Sequence, residues 1–127
     1  MTNKASIHTA SAPEAIGPYS QAIKVDNTVY LSGQIPLNPT TMELVSGDIQ
    51  MQTKQVFENL AAVAAASGGD LKDAVKINIS LTDLTDFHLV NDVMKTFFQE
   101  PYPARACVQV AALPKGADIE IEAILVI

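Results

Sequence analysis

Of the eight basic residues in this 127-residue chain, seven are lysines and one is an arginine, Arg105; the only cysteine, Cys107, follows two residues later. An arginine fork is the side chain best shaped to hold a carboxylate through two parallel hydrogen bonds. The alternative for Arg105 is a salt bridge to Glu120 or Glu122 at an interface, and position alone leaves both readings open. Glu120 is the candidate for proton transfer, since a carboxylate at a partly dry surface has its pKa raised and can act as acid or base. The plainer reading, a charge partner for Lys76 or Lys115, is favoured by the residues alone. Tyr19 follows Gly17-Pro18 and is either a loop anchor or a pocket lid. Ser32-Gly33 combines a hydroxyl with bare backbone, suited to a small ligand or to ordinary turn chemistry. Cys107 has no CxxC partner, and His8 and His88 stand at no metal-ligand spacing, so no zinc site is expected. A Cys–His nucleophilic pair stays open, with His88 read as a surface residue early in a helix.

The elements that must position these residues follow from periodicity and turn signals. Ala22 to Val25 and Thr28 to Ser32 read as a hairpin about Asp26-Asn27. Asp48 caps a helix running to Ser67, with Ile49, Val56, Leu60, Val63 and Ala64 at helical spacing and Gly68-Gly69 as its stop. Val75, Ile77, Ile79 and Leu81 alternate with polar residues, as in a strand. Asp86 caps a second helix with Phe87, Val90, Met94 and Phe97 on one face. Ala104 to Ala112 and Asp118 to Ile127 are strands joined by Leu113–Ala117.

The order ββαβαββ predicts an α+β two-layer sandwich, a mixed sheet with both helices on one face. Val75, Ile77, Ile79, Leu81, Val108, Val110, Ile119 and Ile121 are expected beneath the helices. The other face is expected to carry Lys76, Asn78, Ser80, Arg105, Cys107, Gln109, Glu120 and Glu122. Ala111, Ile124 and Val126 share it, and this mixture suits a subunit interface better than a solvated face. A 113–117 hairpin would pair Glu120 near Gln109 or Ala111 and leave Arg105 roughly 13–20 Å further along the strand.

Composition bounds the function. The chain is one domain long, 1–127, with 48 % hydrophobic residues, enough for one core. Eight Lys plus Arg against 14 Asp plus Glu give a net charge of -6, which argues against a nucleic-acid partner. The absence of Trp and an aromatic content of 6 % argue against an RNA surface in particular. One cysteine permits no intrachain disulfide, no apolar run exceeds seven residues, and Met1–Ser6 leads into no hydrophobic segment. A cytoplasmic protein without a membrane partner is expected. There is no P-loop and no GxGxxG after a strand.

Ala15-Ile-Gly-Pro-Tyr-Ser-Gln-Ala22, Ser32-Gly-Gln-Ile-Pro36, Pro103-Ala-Arg-Ala-Cys-Val-Gln-Val110, Leu113-Pro-Lys115 and Ile119-Glu-Ile-Glu-Ala123 strongly resemble the RidA (YjgF) family over essentially the whole chain. The resemblance implies a chorismate-mutase-like α+β sandwich that forms homotrimers with ligand clefts between subunits. It also implies hydrolysis of 2-iminobutanoate, 2-iminopropanoate and their enamine tautomers to 2-keto acids and ammonia, with no cofactor and no metal. It places Arg105 on the substrate carboxylate and Glu120 on the water. Cys107 would contact the ligand through its backbone, and Tyr19, Ser32, Gly33 and Asn91 would line the pocket. The chain departs from many members at Ala112, where a basic residue is common, and in a shorter Glu100-Pro-Tyr102 segment. The competing reading is a keto-acid-binding or regulatory module, against which a water-activating Glu120 counts. Ribonuclease or translation inhibitor, names also attached to the family, are disfavoured by the charge.

Overall fold

Asp48 begins the long helix α1 (Ile49–Ala66) by accepting the Met51 N–H at 2.9 Å. Gly68, at φ +91°, turns the chain out of it, and the Gly69 N–H returns to the Ala64 carbonyl at 3.1 Å. Lys24 adds a cation at this end, 3.1 Å from the Ser67 carbonyl, where the helix dipole is negative. The computed structural model describes residues 3–127; Met1 and Thr2, the start of the stretch read for a targeting signal, lie outside the described residues.

The strands are β1 (Ala5–Ile7), β2 (Ala22–Val25), β3 (Thr28–Gln34), β4 (Ala74–Leu81), β5 (Ala104–Gln109) and β6 (Ile119–Val126), with helix α2 (Phe87–Phe97) between β4 and β5. They form one mixed sheet in the order β1-β2-β3-β6-β4-β5. The expected two-layer sandwich is present, with both helices over one face. Phe57 of α1 meets Phe97 and Phe98 at ring separations of 5.2 and 5.5 Å, above a layer that includes Ile77, Ile79, Leu81, Ile119, Ile121 and Leu125. No helix of the described residues is long and apolar enough to cross a membrane.

Five expectations are corrected. β1 is an additional strand; at three residues it is too short to show an alternation. Asp86 makes no side-chain cap, because Asp83 one turn earlier accepts the Thr85 N–H and starts a 3-10 turn that leads into α2. The 113–117 segment does not close a hairpin: β4 lies between β6 and β5, antiparallel to the first and parallel to the second. That pairing reverses the faces of β5. Ile77 stands opposite Arg105, Ile79 opposite Cys107 and Leu81 opposite Gln109, so these three polar positions lie on the helix side of the sheet. Val108, opposite Ser80, is on the other face and exposed; Val110 lies just beyond the strand and is half-buried. Val75 is exposed because a register shift between Ala74 and Lys76 interrupts the alternation of β4.

Phe57 carries the junction of both helices with the sheet. Phe57→Ala is expected to cost about 3–5 kcal/mol of folding stability; denaturant unfolding checks this, and a loss below 1 kcal/mol would show that the junction is not the main core contact.

Candidate functional site

The sequence candidates fall into two clefts. Tyr19, Ser32, Gly33 and Glu120 line one of about 620 Å³, together with Lys115 and Glu122. Asn91 and Arg105 line a second, of about 440 Å³, with Met94, Lys95, Tyr102 and Pro103. Cys107 lines neither; it packs half-buried against the core beneath the helices.

The first cleft is built on a bulge. β3 pairs Leu31 with Ala123 and then Gln34 with Ile121, so Ser32 and Gly33 include one residue more than the facing strand. Ser32 is pinned by its hydroxyl, which donates to the Ser20 carbonyl at 2.6 Å, and by its N–H, which donates to the Gln21 carbonyl at 3.0 Å. Gly33 lies flat beneath Glu120: a Cβ built there would stand 3.0 Å from the Glu120 Cδ and overlap the carboxylate. A side chain at position 33 would displace the carboxylate, so glycine is what lets it lie against the backbone here. Tyr19 comes from the preceding loop, its N–H bonded to the Gly17 carbonyl at 2.9 Å, with Gly17 at φ +125°.

Burial pushes the Glu120 carboxyl above the usual carboxylate range, and the neighbouring negative charge of Glu122 adds to the shift. Glu122 is held by Asn78, whose amide donates to it at 3.0 Å. Neither Lys76 nor Lys115 pairs with Glu120; the ion pairs among the described residues are His8–Glu14 and Lys54–Glu58, both exposed. Lys115 takes a left-handed backbone, φ 59°, at the rim of this cleft.

Arg105 is held by α2. Its Nη1 donates to Asn91 Oδ1 and lies 3.9 Å from the Met94 sulfur, while the guanidinium stands 6.0 Å from the centre of the Phe87 ring. No carboxylate of the described residues pairs with it, so the alternative of a salt bridge to Glu120 or Glu122 is not formed within the chain. Those glutamates lie on the other face of the sheet. Burial raises the Cys107 thiol above its ordinary pKa, and the charge of Arg105 opposes this only in part. A thiol so placed stays protonated at neutral pH, which is the wrong state for a nucleophile. His88 is exposed and its Nδ1 lies 3.1 Å from the Thr85 carbonyl.

Lys95 and Tyr102 are cleft residues that the sequence reading did not assign to a site, and Glu122, read there only as an alternative partner for Arg105, is a third. Lys95 had a signal, four residues after Asn91 on one helix face. Tyr102 belongs to the Glu100-Pro-Tyr102 segment and reaches the Arg105 cleft through the turn into β5. Among the described residues no three His, Cys, Asp or Glu side chains gather as a metal site.

The family model described as Endoribonuclease L-PSP matches residues 9–127. The chain belongs to this family, the RidA/YjgF family. A 2-iminobutanoate/2-iminopropanoate deaminase of Dermatophagoides farinae is 54 % identical over 127 residues, which cover 100 % of this chain and 99 % of that protein. The Homo sapiens protein of the same name is 49 % identical over 120 residues, 94 % of this chain and 88 % of that one. The crystal structure of RidA from an Antarctic Psychrobacter is similar with a TM-score of 0.94 at 58 % identity, covering 97 % and 99 % of the two chains. This RidA-family chain thus has a relative's fold along almost its whole length, with the Gly33 bulge beneath Glu120 and the Arg105 cradle built from its own residues.

A carboxyl whose pKa is raised on folding stabilises the fold most below its unfolded pKa, and that contribution is lost as pH climbs through the folded value. Glu120→Gln is therefore expected to melt higher than the wild type at pH 7, with the difference closing as pH falls below the ordinary carboxylate range. Thermal unfolding at several pH values checks this; equal melting at pH 7 would mean that Glu120 is not desolvated.

Proposed function

We propose that this chain is a 2-imino-acid deaminase of the kind its full-length relatives are named for, hydrolysing 2-iminobutanoate and 2-iminopropanoate to 2-keto acids and ammonia. The observation that carries the reading is the Glu120 carboxyl, raised in pKa and set over bare backbone in a cleft wide enough for a small acid. An imine carbon is already electrophilic. A base takes a proton from water as its oxygen bonds to that carbon and returns it to the imine nitrogen; the hydroxyl of the carbinolamine so formed then gives up its proton, which passes to the nitrogen as the carbonyl forms and the carbon–nitrogen bond breaks to release ammonia. A carboxyl with pKa nearer the working pH performs both halves better than an ordinary glutamate. Holding the substrate carboxylate is the role assigned to Arg105, whose fork has no carboxylate partner within the described residues. Tyr19, Ser32, Gly33 and Asn91 line the ligand space, and Cys107 contributes its backbone. The reaction calls for no cofactor and no metal.

Residues 1–127 act in this reading as one domain. Arg105 and Glu120 occupy opposite faces of one sheet, so a single chain does not bring both to one small ligand. A homotrimer, with ligand clefts between subunits, places the Arg105 cleft of one copy against the Glu120 cleft of the next. Tyr30, Val108 and Val126, each about half-exposed, supply apolar surface for that contact. The lone cysteine fits a reducing, cytoplasmic setting.

The test is an assay in which an imine is generated from threonine or serine and semicarbazide competes for it. The wild type should speed keto-acid formation at the expense of trapped imine. Ligand binding without turnover would favour the regulatory module, and RNA cleavage without imine hydrolysis would favour the activity in the family model's description. Arg105→Ala should lose about 2–4 kcal/mol of transition-state binding, read as kcat/KM. Cys107→Ser should stay active in the same assay; an active Arg105→Ala beside an inactive Cys107→Ser would reverse the assignment. Light scattering at micromolar concentration should give the mass of three chains, and a monomer mass would remove the shared cleft.

A further inference from the structure

Gln21 precedes β2 and is 2 % exposed, yet no step of the proposed reaction uses it. Its carboxamide is fully engaged. Oε1 accepts the Thr9 N–H at 2.7 Å, and Nε2 donates to the carbonyls of Pro13 at 2.8 Å, Thr9 at 3.1 Å and Ala12 at 3.4 Å. Two amide protons thus serve three carbonyls of a non-repetitive segment whose Ala12 and Pro13 are buried. No other side-chain type of this length both accepts and donates in this way.

The segment Pro13–Tyr19 is one wall of the Glu120 cleft, through Pro13, Glu14, Ile16 and Tyr19. Its middle does little to hold itself. Ile16 is 71 % and Tyr19 53 % exposed, and the His8–Glu14 pair is 3.8 Å long and exposed, a contact of small worth. The wall is tied at its two ends: Ser32 holds Ser20, and Gln21 holds Thr9, Ala12 and Pro13. The Gln21 carbonyl also accepts the Ser32 N–H, so both ties meet at the bulge that seats Glu120.

We propose that Gln21 is a positioning residue whose buried carboxamide fixes the Thr9–Pro13 segment and, through it, the wall that presents Tyr19 to the ligand over Glu120. The proposal rests on the deaminase reading for its kinetics and on the fold alone for its geometry. Gln21 itself borders the Glu120 cleft, but its carboxamide is spent on Thr9, Ala12 and Pro13, so its loss should act on substrate binding and leave the chemistry of Glu120 in place.

Gln21→Met keeps the length and removes every hydrogen bond; Gln21→Glu keeps the acceptor for Thr9 and sets a carboxylate against three carbonyls. In the trapping assay both should raise KM by about tenfold or more, with kcat within about threefold of wild type. Tyr19→Ala added to Gln21→Met should cost much less than the product of the two single effects, since both act on one wall. Hydrogen exchange should quicken at Thr9 and through Ile16–Tyr19 while α1 keeps its protection. Unchanged KM, a loss confined to kcat, or single effects that multiply would overturn the proposal. If neither variant folds, the wild-type Thr9 amide decides: protection near that of the β2–β3 ladder supports it, and exchange as fast as at exposed Ala10 overturns it. A wild type without imine hydrolysis strikes the deaminase reading and the kinetic role together, whereas the exchange experiment still decides whether Gln21 holds the wall.

Discussion

β4 is paired on both sides, antiparallel to β6 and parallel to β5, and the locations of Arg105, Cys107 and Glu120 depend on that register. Ile77 opposite Arg105 and Ser80 opposite Glu120 are an odd number of positions apart on one strand, and successive side chains of a strand point to opposite faces. Arg105 is thereby delivered to α2 and Glu120 to the open face. A slip of one residue in β5 would exchange Arg105 for Ala104 or Ala106 beneath the helix and undo the contact with Asn91. The apolar layer of Ile77, Ile79 and Leu81, fully buried under α1 and α2, is what makes such a slip costly for β4.

Glu120 shows how a fold sustains a group it would be more stable without. Glycine at position 33 of the β3 bulge leaves out a side chain, and the carboxylate lies in the space so made. Dehydration there penalises the charged form, and Glu122 two residues on penalises it further. The buried neighbours Leu31, Ile119 and Ile121 on the same strands anchor the bulge from the other side of the sheet. Stability lost at one carboxyl is small beside the apolar contacts that keep its backbone in place.

Arg105 is treated differently. It is exposed, and its orientation is set by an amide, a sulfur and a ring, all from α2. None of these neutralises the guanidinium, so its affinity for an anion is kept while its freedom is reduced. Asn91 and Arg105 thus belong together for a reason that geometry states: the helix residue aims the strand residue.

Much of this was legible in the residues themselves. Asp48, the apolar repeat through Ala64 and Gly68-Gly69 define α1 by local rules of capping and period, and those rules act within one helix. The alternation of Ile77, Ile79 and Leu81 and of Ile119 and Ile121 assigns the buried face of β4 and β6, because each strand has one strongly apolar side. The family resemblance was likewise carried by short runs of residues, Arg105 and Glu120 among them. What tertiary structure alone decided is which strands meet. In Ala104–Gln109 one side carries Ala104, Ala106 and Val108 and the other Arg105, Cys107 and Gln109, so local pattern favours Val108 for the core, and only the parallel pairing with β4 turns Cys107 inward and Val108 out. Strand order, and with it the separation of Arg105 from Glu120 onto opposite faces, is a property of long-range pairing, which no spacing along the chain encodes.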